Sequence, residues 1–255
     1  MKRLIIIAAA AAFALTACSE AAPTTTPTTA APATTASTAT PATTTTTLPE
    51  VPLDVVPRDY AGFLAQQPAC GASAPAPVTP MEFDAPADMG LDSAAPATVV
   101  MSTSCGDITI ELESSIASAT ANSFAFLASE GYFDGTVVHR LIPGYIVQGG
   151  DPTASGMGGP GYTIPDEFPP AGTLYERGMI AMANAGPGTG GSQFFIMLGD
   201  AELPPQYTIF GRVTDGLDVL DQIERTRLGQ APGSPDPVPS TPLETIYVNT
   251  ATLDG

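Results

Sequence analysis

The chain has one histidine, three cysteines, no tryptophan and a single lysine, Lys2. Each shortage excludes a class of chemistry. A zinc site needs about four closely spaced Cys, His or carboxylate ligands, and Cys18, Cys70, Cys105 and His139 are scattered along the sequence. We therefore expect no metal and no cofactor. A hydrolase triad would have to be built on His139 alone. Cations are equally scarce: 8 Lys+Arg stand against 26 Asp+Glu, for a formal net charge of -18. Without clustered cations there is nothing to neutralise phosphates, which argues against nucleic acid and against basic-patch binding to anionic lipid headgroups. The acidity reads as solubility. The apolar run Leu4–Leu15 is too short to span a bilayer stably as a helix.

What is present begins with an address. Lys2 and Arg3 precede that apolar run, the pattern of a signal peptide over residues 1–17. Leu15-Thr16-Ala17-Cys18 resembles a bacterial lipobox. The resemblance implies cleavage before Cys18, a diacylglyceryl group on its sulfur and an extracytoplasmic protein anchored to the cell membrane through lipid. The alternative is an ordinary secretory cleavage site with an incidental cysteine. Residues 18–49 are dominated by Thr, Pro and Ala, with no charge between Ala21 and Pro49, and cannot bury enough apolar surface to offset chain entropy. They read as a disordered, semi-extended linker. Residues 50–95 place Tyr60, Phe63, Leu64, Met81, Phe83 and Met89 among prolines, and read as an extended, partly ordered arm. Outside the cytoplasm two leftover thiols tend to be bridged, so we expect a Cys70–Cys105 disulfide stapling the arm to the following domain; the alternative is two buried free thiols.

From residue 96 to 255 the texture is that of a mainly β domain. Thr98–Thr103 and Ile108–Leu112 form a hairpin about a turn at Cys105-Gly106-Asp107. Ala117–Glu130 carries helical spacing and is stopped by Gly131. Strands are expected at 136–142, 145–148, 178–183, 193–198, 208–213 and 245–253, with a second helix at Leu217–Glu224. Many short strands with two helices suggest an antiparallel barrel capped at its ends. Gly156-Met157-Gly158-Gly159-Pro160-Gly161 fits a dinucleotide-binding glycine pattern on paper, but Pro160 and Pro165 forbid the helix such a motif must open, so it reads as a loop.

The informative stretch runs from Val138 to Asp151: a strand with one cation, Arg140, then a Pro143-Gly144 turn and a returning strand that ends at Gly149-Gly150. It resembles the signature of the cyclophilins, a family of prolyl isomerases. The resemblance extends through Gly131–Thr136, Gly159–Tyr162, Pro165–Phe168, Arg177–Thr189, Gly191–Ile196, Tyr207–Val213 and Gly216–Leu220, in order, from about Thr98 to Leu253. It implies a closed eight-stranded antiparallel β-barrel with a helix over each end and a shallow substrate groove on one outer face.

The same resemblance assigns roles. Arg140 stands at the catalytic position. Tyr145, Ile146, Phe195 and Leu203 match the pocket for the substrate proline ring, with Tyr207 at its edge. Gln148, Asn184 and Gln193 match positions that hold the peptide backbone, with Ala183 and Ala185 alongside. His139 neighbours Arg140 on a strand, should face the opposite way, and is expected to position rather than to exchange protons. Glu202 occupies a loop position where other members carry Trp, which puts cyclosporin sensitivity in doubt. The implied partners are proline-containing segments of exported proteins, met by a monomer. The rival reading is a module that holds such segments without turning them over.

Overall fold

A computed structural model describes residues 55–254, all within one unit, Thr47–Gly255. The expected signal peptide and linker, Cys18 and the first residues of the arm lie outside the described residues.

Eight strands form one antiparallel sheet: β1 (Thr98–Thr103), β2 (Gly106–Leu112), β3 (Arg140–Ile142), β4 (Ile146–Gly149), β5 (Met179–Met182), β6 (Phe194–Met197), β7 (Ile209–Asp215) and β8 (Val248–Asp254), in the order β8-β1-β2-β7-β5-β6-β4-β3. In β1 every second residue is buried, as the period-two alternation of a half-covered strand requires. The expected closed barrel is corrected to a curled, open sheet. Its edge strands β3 and β8 share no ladder; the seam carries the single bridge Val137↔Tyr247 and flanking bonds such as Val138 N to Ile246 O, 2.9 Å. The first hairpin also differs from expectation. Thr103 pairs with Gly106, so its turn is Ser104-Cys105 and β2 begins one residue after the cysteine.

Among the described residues three α-helices accompany the sheet: α1 (Tyr60–Leu64), α2 (Ser118–Ser129) and α3 (Leu217–Ile223). The longest, α2, packs against β7 and β8. Its N-cap residue Ala117 has no side chain to offer, so the orphan amides are satisfied from elsewhere. The Glu167 carboxylate accepts from Ala119 N (3.0 Å), Thr120 N (2.9 Å) and the Thr120 hydroxyl (2.8 Å). Gly131, at φ 69°, ends the helix in the left-handed conformation that glycine tolerates. The buried Phe124 ring of α2 meets Phe133, Phe194 and Phe210 at centroid separations of 5.0, 5.4 and 5.0 Å.

From residue 55 the arm packs on the domain. Asp59 caps α1 by accepting from Gly62 N at 2.9 Å, and the helix seats Phe63 in a cluster with Val137, Ala154 and Tyr247. The Tyr60 hydroxyl donates to Gly135 O at 2.9 Å and accepts from Val78 N at 2.8 Å. Further along, Phe83 stacks edge-on against Phe126 at 5.0 Å, and its amide donates to Pro160 O at 2.8 Å. A disulfide joins Cys70 to Cys105, with Cα atoms 5.2 Å apart.

Candidate active site

Most of the apolar core lies on one face of the sheet, but β4, β5 and β6 are covered on both. All of Phe194-Phe195-Ile196-Met197 is buried, as expected for a strand that reads as a continuous apolar run. Phe194 and Ile196 join the main core, whereas Phe195 and Met197 enter a second cluster with Ile146, Tyr175, Ala181 and Ile209. Tyr145, Leu203, Tyr207 and Ala183 pack on it and stay partly open. The residues expected to grip a proline ring therefore meet in one cluster on the second face. The Tyr207 ring stands edge-on to Phe195 at 5.4 Å, and Tyr175 fixes its backbone by donating from its hydroxyl to Tyr207 O at 2.8 Å. Glu202 is exposed in a two-residue strand paired with Leu174–Tyr175.

Arg140 lies at the margin of this cluster, on the edge strand β3, with its side chain 32% exposed. It sits directly across from Gln148 on β4, which in turn faces Phe195 on β6. Arg140 Nη1 donates to Gln148 Oε1 at 3.1 Å. That fixes the Gln148 amide, whose Nε2 donates to Gln193 Oε1 at 3.2 Å, and Gln193 Nε2 donates to Gly158 O at 3.0 Å. The two glutamines also line a cavity of about 640 Å³ together with Ala183, Asn184, Ala185 and, from the arm, Glu82. Asn184 is anchored by donating to Gln206 O at 2.8 Å.

The floor of this cavity is the glycine-rich loop, which contains no helix. Asp151, fully buried, organises it by accepting from Thr153 N (2.7 Å), the Thr153 hydroxyl (2.7 Å), Gly156 N (2.7 Å) and Gly158 N (3.1 Å). Burial alone would raise its pKa, but the bonds from Thr153 and Gly158 outweigh that and hold it below the usual value. Gly158 is required here, because a Cβ at that position would run into the Asp151 carboxylate and the Thr153 hydroxyl.

His139 contributes no donor or acceptor to the groove. Both ring nitrogens are enclosed without a hydrogen-bond partner. Burial lowers its pKa to about 4, the Asp151 charge opposing that and Arg140 adding to it, so the ring is neutral at pH 7. Sequence reasoning missed Asp236. Its carboxylate receives Arg140 Nε at 2.8 Å and Arg140 Nη2 at 2.6 Å, and its side chain is only 7% exposed. The one available signal was the unusual Pro235-Asp236-Pro237 sequence, set against the need of a half-buried arginine for a partner. Among the described residues no group of three or more His, Cys, Asp or Glu is placed to hold a metal ion.

The site is thus a curled antiparallel sheet with an apolar outer cluster, bordered by an arginine and two glutamine side chains. The family model for cyclophilin type peptidyl-prolyl cis-trans isomerases matches residues 98–248, and the chain belongs to that family. It is 42% identical over 159 residues to a probable peptidyl-prolyl cis-trans isomerase B of Mycobacterium tuberculosis, covering 56% of this chain and 51% of that protein. The chain thus spans about half the length of that relative. A peptidyl-prolyl cis-trans isomerase of Arabidopsis thaliana is 41% identical over 160 residues, covering 61% of this chain and 95% of the plant protein. Among solved structures, a cyclophilin type isomerase of Cryptosporidium parvum, crystallised in the presence of the dipeptide Ala-Pro, aligns at 33% identity with a TM-score of 0.54, covering 62% of this chain and 99% of its own.

Proposed function

We propose that this chain is a peptidyl-prolyl cis/trans isomerase that acts on X-Pro bonds of exported or cell-envelope proteins, with Arg140 stabilising the twisted amide. An X-Pro amide is planar because the nitrogen lone pair is delocalised into the carbonyl, and rotation costs about 18–20 kcal/mol. Half-way round, delocalisation is lost and the nitrogen becomes a pyramidal base. A guanidinium beside it then donates a hydrogen bond far stronger than either planar form can accept, which is differential binding of the transition state. The cluster of Ile146, Phe195, Leu203 and Tyr207 supplies the grip on the proline ring, while Gln148, Gln193 and Asn184 offer polar groups to the flanking backbone. One side of the bond turns while the other is held. Arginine suits this task because it stays charged and its fork is rigid.

The observation that carries the reading is the partly exposed side chain of Arg140, paired across the sheet with Gln148 and so with Phe195 of that apolar cluster. The mechanism needs no nucleophile, metal or cofactor. An exported setting is supported by the Cys70–Cys105 bridge, a bond that persists in oxidising compartments, together with the lipobox-like residues Leu15–Cys18. The Ala-Pro dipeptide reported with the Cryptosporidium protein supports proline-containing segments as the ligand class.

Arg140→Ala is the test. The folded full-length variant should lose about a hundredfold or more of kcat/KM on a proline peptide, the scale on which removing one transition-state donor acts. An undiminished rate would remove Arg140 from the mechanism.

A further inference from the structure

Arg140 has five N–H donors, and three are spoken for: two by Asp236 and one by Gln148. The two Asp236 bonds form the parallel fork that fixes a guanidinium in plane and rotation. They take Nε and one hydrogen of Nη2, the edge away from Gln148, and leave one N–H on each Nη uncommitted.

The loop that delivers Asp236 is built to hold it still. Its ends are clamped by the short pairing of Leu228–Gly229 with Thr241–Pro242, and Ser240 O accepts from Leu141 N of β3 at 2.7 Å, next to Arg140. Inside the loop, Pro235 and Pro237 flank Asp236. A residue before proline is confined to extended backbone, so the carboxylate has little freedom of approach. Gln230 Nε2 donates to Asp236 O at 3.1 Å and Asp236 N donates to the Ser234 hydroxyl at 3.3 Å. Arg140 in turn holds the carboxylate below its usual pKa, so it stays ionised at neutral pH.

We infer that Asp236 is a positioning residue for isomerisation: it locks the Arg140 guanidinium so that its Nη edge is held toward Gln148 and the substrate nitrogen. This rests on the role proposed above for Arg140. A bare arginine on an edge strand samples many rotamers, and a donor aimed in advance needs no reorganisation at the moment of rotation. Because orientation counts chiefly in the transition state, its loss falls on kcat more than on KM.

The test is a double-mutant cycle on the full-length chain, with kcat and KM measured on a proline peptide and unfolding midpoints measured alongside. Asp236→Ala should lower kcat/KM about ten- to a hundredfold, the range a misplaced catalytic group produces, mostly through kcat, with a near wild-type midpoint. Asp236→Asn, which keeps the shape but removes the charge, should fall in the same direction. In the Arg140→Ala background, Asp236→Ala should cost nothing further, because its only route to the chemistry is gone. The inference is overturned if Asp236→Ala keeps or raises kcat/KM while Arg140→Ala loses it, the second result marking the contact as inhibitory. It is also overturned if Asp236→Ala costs the same factor in both backgrounds, which would mark a general structural role. If instead Arg140→Ala itself runs at the wild-type rate, the reading beneath fails first, and this inference with it.

Discussion

Removing the Cys70–Cys105 bridge should destabilise the domain without silencing it. The two cysteines are 35 residues apart in sequence. Cross-linking a loop of that length removes enough denatured-state entropy to contribute about 4 kcal/mol on the chain-entropy account. For a unit of this size each kcal/mol moves the midpoint by about 2–4 °C, so a Cys70→Ala, Cys105→Ala double variant should melt about 8–15 °C lower. The arm should stay docked in the folded state, because Phe63, Tyr60 and Phe83 keep their contacts. Isomerase activity measured below both midpoints should be unchanged, since the bridge lies at the β1–β2 turn and not on β3, β4 or β6. Calorimetry of both proteins reads the stability, and the substitutions avoid any question of reductant access to Cys105, which is 8% exposed. A midpoint shift below about 2 °C would refute the reasoning, because the denatured chain would then gain almost no freedom from the cut.

His139 is the chain's only histidine, so its ring protons can be followed individually by NMR and should titrate near pH 4. Between about pH 6.5 and 4 the unfolded chain binds a proton that the folded one refuses, so stability should fall as pH drops through that window by up to about 3 kcal/mol, and His139→Asn should flatten that part of the curve. A ring titrating at 6.5 would contradict the burial. Gly158→Ala should destabilise by about 1–3 kcal/mol through overpacking against Asp151 and also weaken peptide binding, because Gly158 O holds Gln193; unchanged urea midpoint and KM would count against it. Glu167→Ala strips four bonds, one of them long, from the start of α2 and should cost about 2 kcal/mol, read from the same urea titration.

The strands were legible because their signals are local. β1 alternates and β6 is a solid apolar run, and each lies within two residues of its expected bounds. The turn between β1 and β2 was misplaced and β2 begins two residues before its expected start, since Ser104-Cys105-Gly106-Asp107 admits either placement and only the pairing of Thr103 with Gly106 decides it. That the sheet stays open was not legible. It depends on how residues near 137 meet residues near 247, a contact no local pattern encodes. The residues singled out for the groove, Tyr145, Ile146, Phe195 and Leu203 with Tyr207 at the edge, do gather in one cluster. Asp236 escaped because it reaches Arg140 across 96 positions from a proline-rich loop with no periodicity to read. Helix α1 escaped for a different reason: its Asp59 cap is visible in the sequence, but five residues are too few to show a period.

The family-matched segment begins at residue 98, yet Glu82 lines the cavity beside Gln148 and Gln193, and Phe83 lies across the loop beneath it. Part of the groove is thus furnished by sequence that the shared fold does not include. Two members of the family with the same sheet need not prefer the same peptides, because selectivity can be written into a flanking segment.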